Sequence, residues 1–181
     1  MSLGKTRLNL RFSPDTPLVL ETETGVSESR LDLTDLQVES VTLESGVGET
    51  VLSMLKPNTT TCKRLEVSAG VGALEVIGLG NFGFDDFRFR GGVGATELDF
   101  SGDWHKTGEV SIEVGIGAVE IRLPRDIGAE VRVNKSFLSS VDLPGFEKRG
   151  GTWYSNNLDQ TSKVVKIRIT AGIGGVDFDW I

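Results

Sequence analysis

The chain has 181 residues, enough for one domain with a sizeable core. Its net charge of −7 argues against nucleic acid and anionic membrane surfaces as direct partners. A single cysteine, Cys62, excludes an intrachain disulfide and a cysteine metal cluster, and leaves the compartment open. No apolar run reaches the roughly 18 residues of a membrane span, and the N-terminus lacks the apolar stretch of a secretory leader. Met1-Ser2-Leu3 is compatible with an artificial start, which leaves open whether natural residues such as an anchor precede it.

In chain order, Leu8 to Phe12 is an apolar stretch suited to capping one end of a sheet. A short phrase then recurs. It is loose at Gly25-Val26-Ser27. It is strict at Gly46-Val47-Gly48, Gly70-Val71-Gly72, Gly92-Val93-Gly94, Gly115-Ile116-Gly117 and Gly172-Ile173-Gly174. The steps between first glycines are 21, 24, 22, 23 and 57 residues. A period of 21–24 residues marks a stacked-repeat architecture.

The flanks alternate with a period of two, as strands do. Before the corner, Val41 and Leu43, Leu65 and Val67, Phe87 and Phe89, Val110 and Ile112, and Ile167 and Ile169 are apolar. Thr42, Glu66, Arg88, Ser111 and Arg168 stand between them. After the corner, Leu74 and Val76, Leu98 and Phe100, Val119, Ile121 and Leu123, and Val176, Phe178 and Trp180 continue the pattern. Each repeat therefore reads strand, glycine corner, strand, with the glycines serving the bend. Leu31 to Leu43 has some helical spacing, but its β-branched residues favour strand.

The long last step hides a worn copy, Val131-Arg132-Val133-Asn134-Lys135-Ser136-Phe137, with Ser136 in the glycine place. The surplus, Pro144 to Ser162, reads as a loop excursion that could vary a contact. The expectation is a single domain over 1–181. Its fold is all-β: a single-stranded, right-handed parallel β-helix of about seven coils. Terminal coils need capping against edge pairing, and Trp180-Ile181 is the second candidate for that task.

Several motifs imitate ligand sites. Gly78-Leu79-Gly80-Asn81-Phe82-Gly83 matches G-x-G-x-x-G after an apolar strand, but a dinucleotide fingerprint needs a helix next, and Phe84-Asp85-Asp86-Phe87-Arg88-Phe89 has strand period. Gly91-Gly92-Val93-Gly94 lacks the aspartate of a calcium roll, because Thr96 stands there. Five residues after each first glycine sits an acid: Glu75, Glu97, Glu120 and Asp177. In register these form a column about 5 Å apart. Its charge would be offset by solvation, by Arg88, Arg90, Arg122 or Arg168, or by a weakly held divalent cation, the only metal candidate. Paired carboxylates also suggest sugar chemistry, by fold analogy alone. Phe82, Phe84, Trp104, Trp153 and Tyr154 lie between coils, where such aromatics usually cover coil ends; exposed, they would make a sugar-stacking or docking surface. His105 reads as a surface loop residue, and Cys62 as an inert or partly buried thiol between coils.

The stretch Gly78 to Phe82, with Gly91 to Gly94 and Leu98-Asp99-Phe100-Ser101-Gly102, resembles the bacterial toast-rack domains. The run Gly115-Ile116-Gly117-Ala118-Val119-Glu120-Ile121-Arg122-Leu123-Pro124, with Ala171 to Gly174, is similar to the C-terminal domain of LiaF-type cell-wall-active antibiotic response proteins. The resemblance implies a β-helix, often tethered to membrane helices, that senses or restrains envelope-stress signalling; some relatives are described as candidate adhesins. It implies a cell-envelope or membrane-associated location; the missing membrane helices depart from the family and, with no long apolar run, give the expectation that this segment itself is soluble and not inserted. It supplies no catalytic residue and no cofactor. The expected role is a non-enzymatic interaction or sensing module whose partner is a protein or a second copy. The alternative is a carbohydrate-binding or adhesin-like β-helix.

Overall fold

The computed structural model describes residues 8–135 and 139–181. Met1 to Leu3, and Ser136 with Phe137 of the worn copy, lie outside them. The alternating sequences fold as long strands: β1 (Pro17–Asp32), β2 (Gln37–Ser53), β3 (Cys62–Ile77), β4 (Phe84–Asp99) and β5 (Gly108–Leu123). They are followed by β6 (Gly128–Lys135), β7 (Ser139–Asp142), β8 (Phe146–Arg149), β9 (Thr152–Ser155) and β10 (Val164–Trp180). Each long strand holds a whole repeat, with the Gly-apolar-Gly corner at its middle. All ten strands share one sheet, mostly parallel, in the order β1-β2-β3-β4-β5-β10-β6-β9-β8, with β7 also on β10. No strand is followed by a helix longer than a 3-10 turn among the described residues.

Stacking puts like on like. Val41, Leu65, Phe87, Val110, Ile167 and Val131 form one inward column, and Leu52, Val76, Leu98, Ile121 and Phe178 another across the corner. These residues are essentially inaccessible to solvent. The connections close the third side. Their backbone extends the ladder, as in Met54 N–H to Ile77 O (3.0 Å) and Gly80 N–H to Ser101 O (3.0 Å). Leu79, Phe82, Phe84, Phe100 and Trp104 fill the space beneath. Phe100 stacks on Trp104 with centroids 6.2 Å apart, and Phe84 meets Trp104 edge-on at 5.6 Å.

Two expectations are corrected. Winding does not follow the chain to its end. β10 lies between β5 and the β6/β7 layer, pairing Ile167 with Val110 on one side and Val131 on the other. Trp180 is therefore no end cap: β10 is covered on both faces of its ladder, and Trp180 donates Nε1–H to Pro144 O (2.7 Å) and packs on Phe146. The surplus segment does the capping. It contains the β8–β9 hairpin, whose Trp153 and Tyr154 pair antiparallel with Val131 and Glu130 of β6. At the other end, Leu8, Leu10 and Phe12 are exposed and form no strand, so they cap nothing in this structure.

Candidate functional site

The corner decides which side chains reach solvent. In β2, Gly46 and Val47 are consecutive outward residues, after which the alternation resumes with Thr50 buried. A strict period of two would bury one of them. The same slip recurs in every repeat, so the residue between the glycines points away from the core. Val26, Val47, Val71, Val93, Ile116 and Ile173 stack in register as a ridge about 24 Å long. Inner members are 46–50% exposed. Apolar exposure in a line, at every layer, is unlike the scattered surface residues of ordinary domains. In the sequence these residues read as part of the corner; the signal for the ridge is a β-branched residue after the first glycine of every repeat.

The glycines let the layers approach. At Gly46, Gly70, Gly92, Gly115 and Gly172 an added Cβ would overlap the first-glycine carbonyl of the adjacent layer. At Gly48, Gly72, Gly94, Gly117 and Gly174 it would strike the backbone of that same layer, and φ there lies between 132° and 150°. Backbone, not ligand, occupies these positions.

Beside the ridge runs the acid column. Glu75 is opposite Glu97, Glu97 opposite Glu120, and Glu120 opposite Asp177. Asp142 of β7 extends it. A parallel column of Ala73, Ala95, Ala118 and Gly175 leaves room, and the three alanines with Glu75, Glu97, Glu120 and Asp177 line a shallow groove of about 520 Å³. Among Arg88, Arg90, Arg122 and Arg168, Arg122 answers the charge. Its Nη1 lies 2.5 Å from Glu97 and its Nε 2.8 Å from Glu120. Arg88 turns to Asp86, and Arg90 to Glu66 and Glu113. Desolvation raises the Glu97 carboxyl above the usual glutamate range, against the pull of Arg122 and with the repulsion of Glu120 and Glu75. Hydrogen bonding to Glu120 raises Arg122. Among the described residues no group of three or more His, Cys, Asp or Glu has metal-holding geometry.

The remaining candidates disperse. Gly78 and Gly83 bracket a four-residue 3-10 turn, Leu79–Phe82, which leads into β4. Phe82, Phe84 and Trp104 are buried and unavailable to a sugar; Trp153 and Tyr154 are partly covered by Lys148 and Arg149. His105 is exposed, 3.6 Å from Asp103. Cys62 opens β3 rather than lying between layers, is fully buried, and its thiol is pushed by desolvation up to about 12. Three asparagines hold the connections, a role that no sequence motif marks. Asn81 donates to Met54 O (2.8 Å) and accepts from Asp103 N–H (2.9 Å); Asn58 donates to Val38 O and Phe82 O; Asn157 donates to Arg125 O and Ile127 O. They satisfy backbone groups where the connections leave the ladder.

Comparison of the sequence with curated proteins gives no match. Among solved structures, a crystal structure of a candidate cell adhesion protein from Clostridium sporogenes is similar in fold, with TM-score 0.64 and 18% identity. The alignment covers 87% of this chain and 94% of that one. Residues 1–77 match the family model for the N-terminal domain of toast_rack. Residues 71–178, with the corners from Gly72 to Gly174, match the model described as cell wall-active antibiotics response LiaF, C-terminal, and the chain belongs to that family.

Proposed function

We infer that this chain is a non-enzymatic interaction and sensing module of an envelope-associated bacterial protein, working by display. The architecture we assign is a right-handed β-solenoid of seven layers, β6 and β7 together making the seventh. The observation that carries the reading is the ridge Val26-Val47-Val71-Val93-Ile116-Ile173. It is apolar, in register and held on a backbone that close glycine packing makes stiff. Such a surface offers a partner protein a preordered strip, so little ordering entropy opposes docking. The family supplies the context, a response to cell-wall-active antibiotics.

The carbohydrate reading is weaker, because three of its five aromatics are core residues. No helix among the described residues is long and apolar enough to cross a membrane.

The test is complementation. Cells lacking the protein are challenged with a cell-wall-active antibiotic while an envelope-stress reporter is followed. Wild-type chain is expected to restore the normal response. A folded variant carrying Val71→Lys, Val93→Lys and Ile116→Lys is expected not to. Full restoration by that variant would remove the ridge from the mechanism, and an unaltered response in the deletion strain would remove the sensing role.

A further inference from the structure

The two ends of the sheet are finished differently. At the far end the outermost strand, β8, is four residues long and carries Glu147, Lys148 and Arg149, and β7 is equally short. Short, charged edges are how proteins discourage strand addition. At the near end β1 runs 16 residues, has no buried residue, and is paired on one side only by β2 among the described residues. Val26 is 85% exposed, against 46–50% for its counterparts in inner layers. Behind the edge the core itself is open, with Leu20, Leu31 and Leu36 only partly buried.

We propose that the outer edge of β1 pairs antiparallel with β1 of a second copy, giving a head-to-head dimer with one continuous sheet. The occupant is identified by the strand's symmetry. Inward residues are Leu18, Leu20, Thr22 and Thr24 before the corner, then Ser27, Ser29 and Leu31 after it. The slip at Gly25-Val26 makes this pattern read the same from either end about that pair. Two bent strands can match their bends only if the two-fold axis passes there. In that register Leu20 faces Leu31 of the second copy, Thr22 faces Ser29, and Thr24 faces Ser27. Inward side chains on one strand meet inward side chains on the other, so their outward-directed amides and carbonyls also meet.

Charge supports the same register. Arg30 is the only basic residue of β1. It faces Glu21 of the second copy directly and Glu23 diagonally, within reach of a long side chain. Glu23 and Glu28 face each other and repel, which limits affinity. The dimer would join the two open core ends and align the two apolar ridges. Head-to-tail growth is blocked by the β8–β9 cap, so assembly stops at two.

The experiment is sedimentation velocity of the intact chain over a concentration series, with far-UV circular dichroism to check folding. A monomer–dimer equilibrium with a dissociation constant on the order of 10 µM is expected. Arg30→Glu should weaken it at least tenfold, and Glu21→Arg with Arg30→Glu should restore it. Glu28→Gln should tighten it. Val26→Cys, beside the axis, should oxidise to a disulfide-linked dimer, whereas Asp32→Cys, roughly 40 Å of strand from its copy, should not. A monomer up to about 1 mM overturns the proposal. So does a dimer indifferent to Arg30→Glu, or a series of higher oligomers.

Discussion

Replacing Gly94 by alanine tests the corner most sharply, because Gly25→Ala provides a control in the same motif. Gly94 has φ 150°, and an added Cβ would overlap the Gly72 carbonyl oxygen. The backbone strain is about 1–3 kcal/mol. Relieving the overlap means separating β4 from β3 locally, which weakens ladder hydrogen bonds worth about 0.5–1.5 kcal/mol each. Two such bonds bring the expected loss to about 2–6 kcal/mol, a large share of the 5–15 kcal/mol typical of whole domains. Gly25 stands at the edge layer, and an added methyl there would meet nothing within 4 Å. Its replacement should change stability by under about 1 kcal/mol, through the unfolded state alone. Urea unfolding of both variants, at one low protein concentration, gives the two values. Equal losses, or a Gly94→Ala variant as stable as wild type, would refute the close-approach account of the repeat.

Three further outcomes are expected. Native Cys62 should react with a thiol reagent at pH 8 only as fast as the protein opens, since its thiol sits at about 12; stoichiometric labelling within minutes in the absence of denaturant would contradict its burial. The Glu97 carboxyl is raised in the folded state, so its contribution to stability is fully present below the ordinary glutamate pKa and is lost as the pH rises through the folded value. Wild type should therefore gain stability on mild acidification from neutral pH, and Glu97→Gln should flatten that slope; an unchanged slope would assign it elsewhere. Asn81→Ala should cost about 2–4 kcal/mol by leaving Met54 O and Asp103 N–H without partners, and a loss below about 1 kcal/mol would show that water replaces the amide.

The strands were legible because each carries its own evidence. Val41-Thr42-Leu43 and Ile167-Arg168-Ile169 alternate visibly, and the fixed offset from the glycine locates the layers. The acid column follows from the same offset. Two features were not legible. An insertion of β10 beside β5 leaves no local trace, since Ile167 packs equally well against Val110 or Val131, and chain order suggests only the second. The outward turn of the ridge was hidden because the repeat reads the apolar residue as corner filling, whereas the glycine conformations after it reset the alternation. Asn58, Asn81 and Asn157 lie in connections of unequal length, where no register exists to align them.

The position of β10 bears on synthesis and on truncation. As the chain emerges, the described residues of 128–135 and 139–155 form a cap whose inner neighbour has not yet been made. The layer that joins the cap to the rest is supplied by the residues of β10, Val164–Trp180, made after the cap. Until they arrive, β5 and β6 each present an unsatisfied parallel edge. The molecule thus completes its sheet from within, as a keystone completes an arch. Removal of those residues should release the cap as well as the layer, so a protease that clips the C-terminal strand would unfasten about a third of the chain in one step.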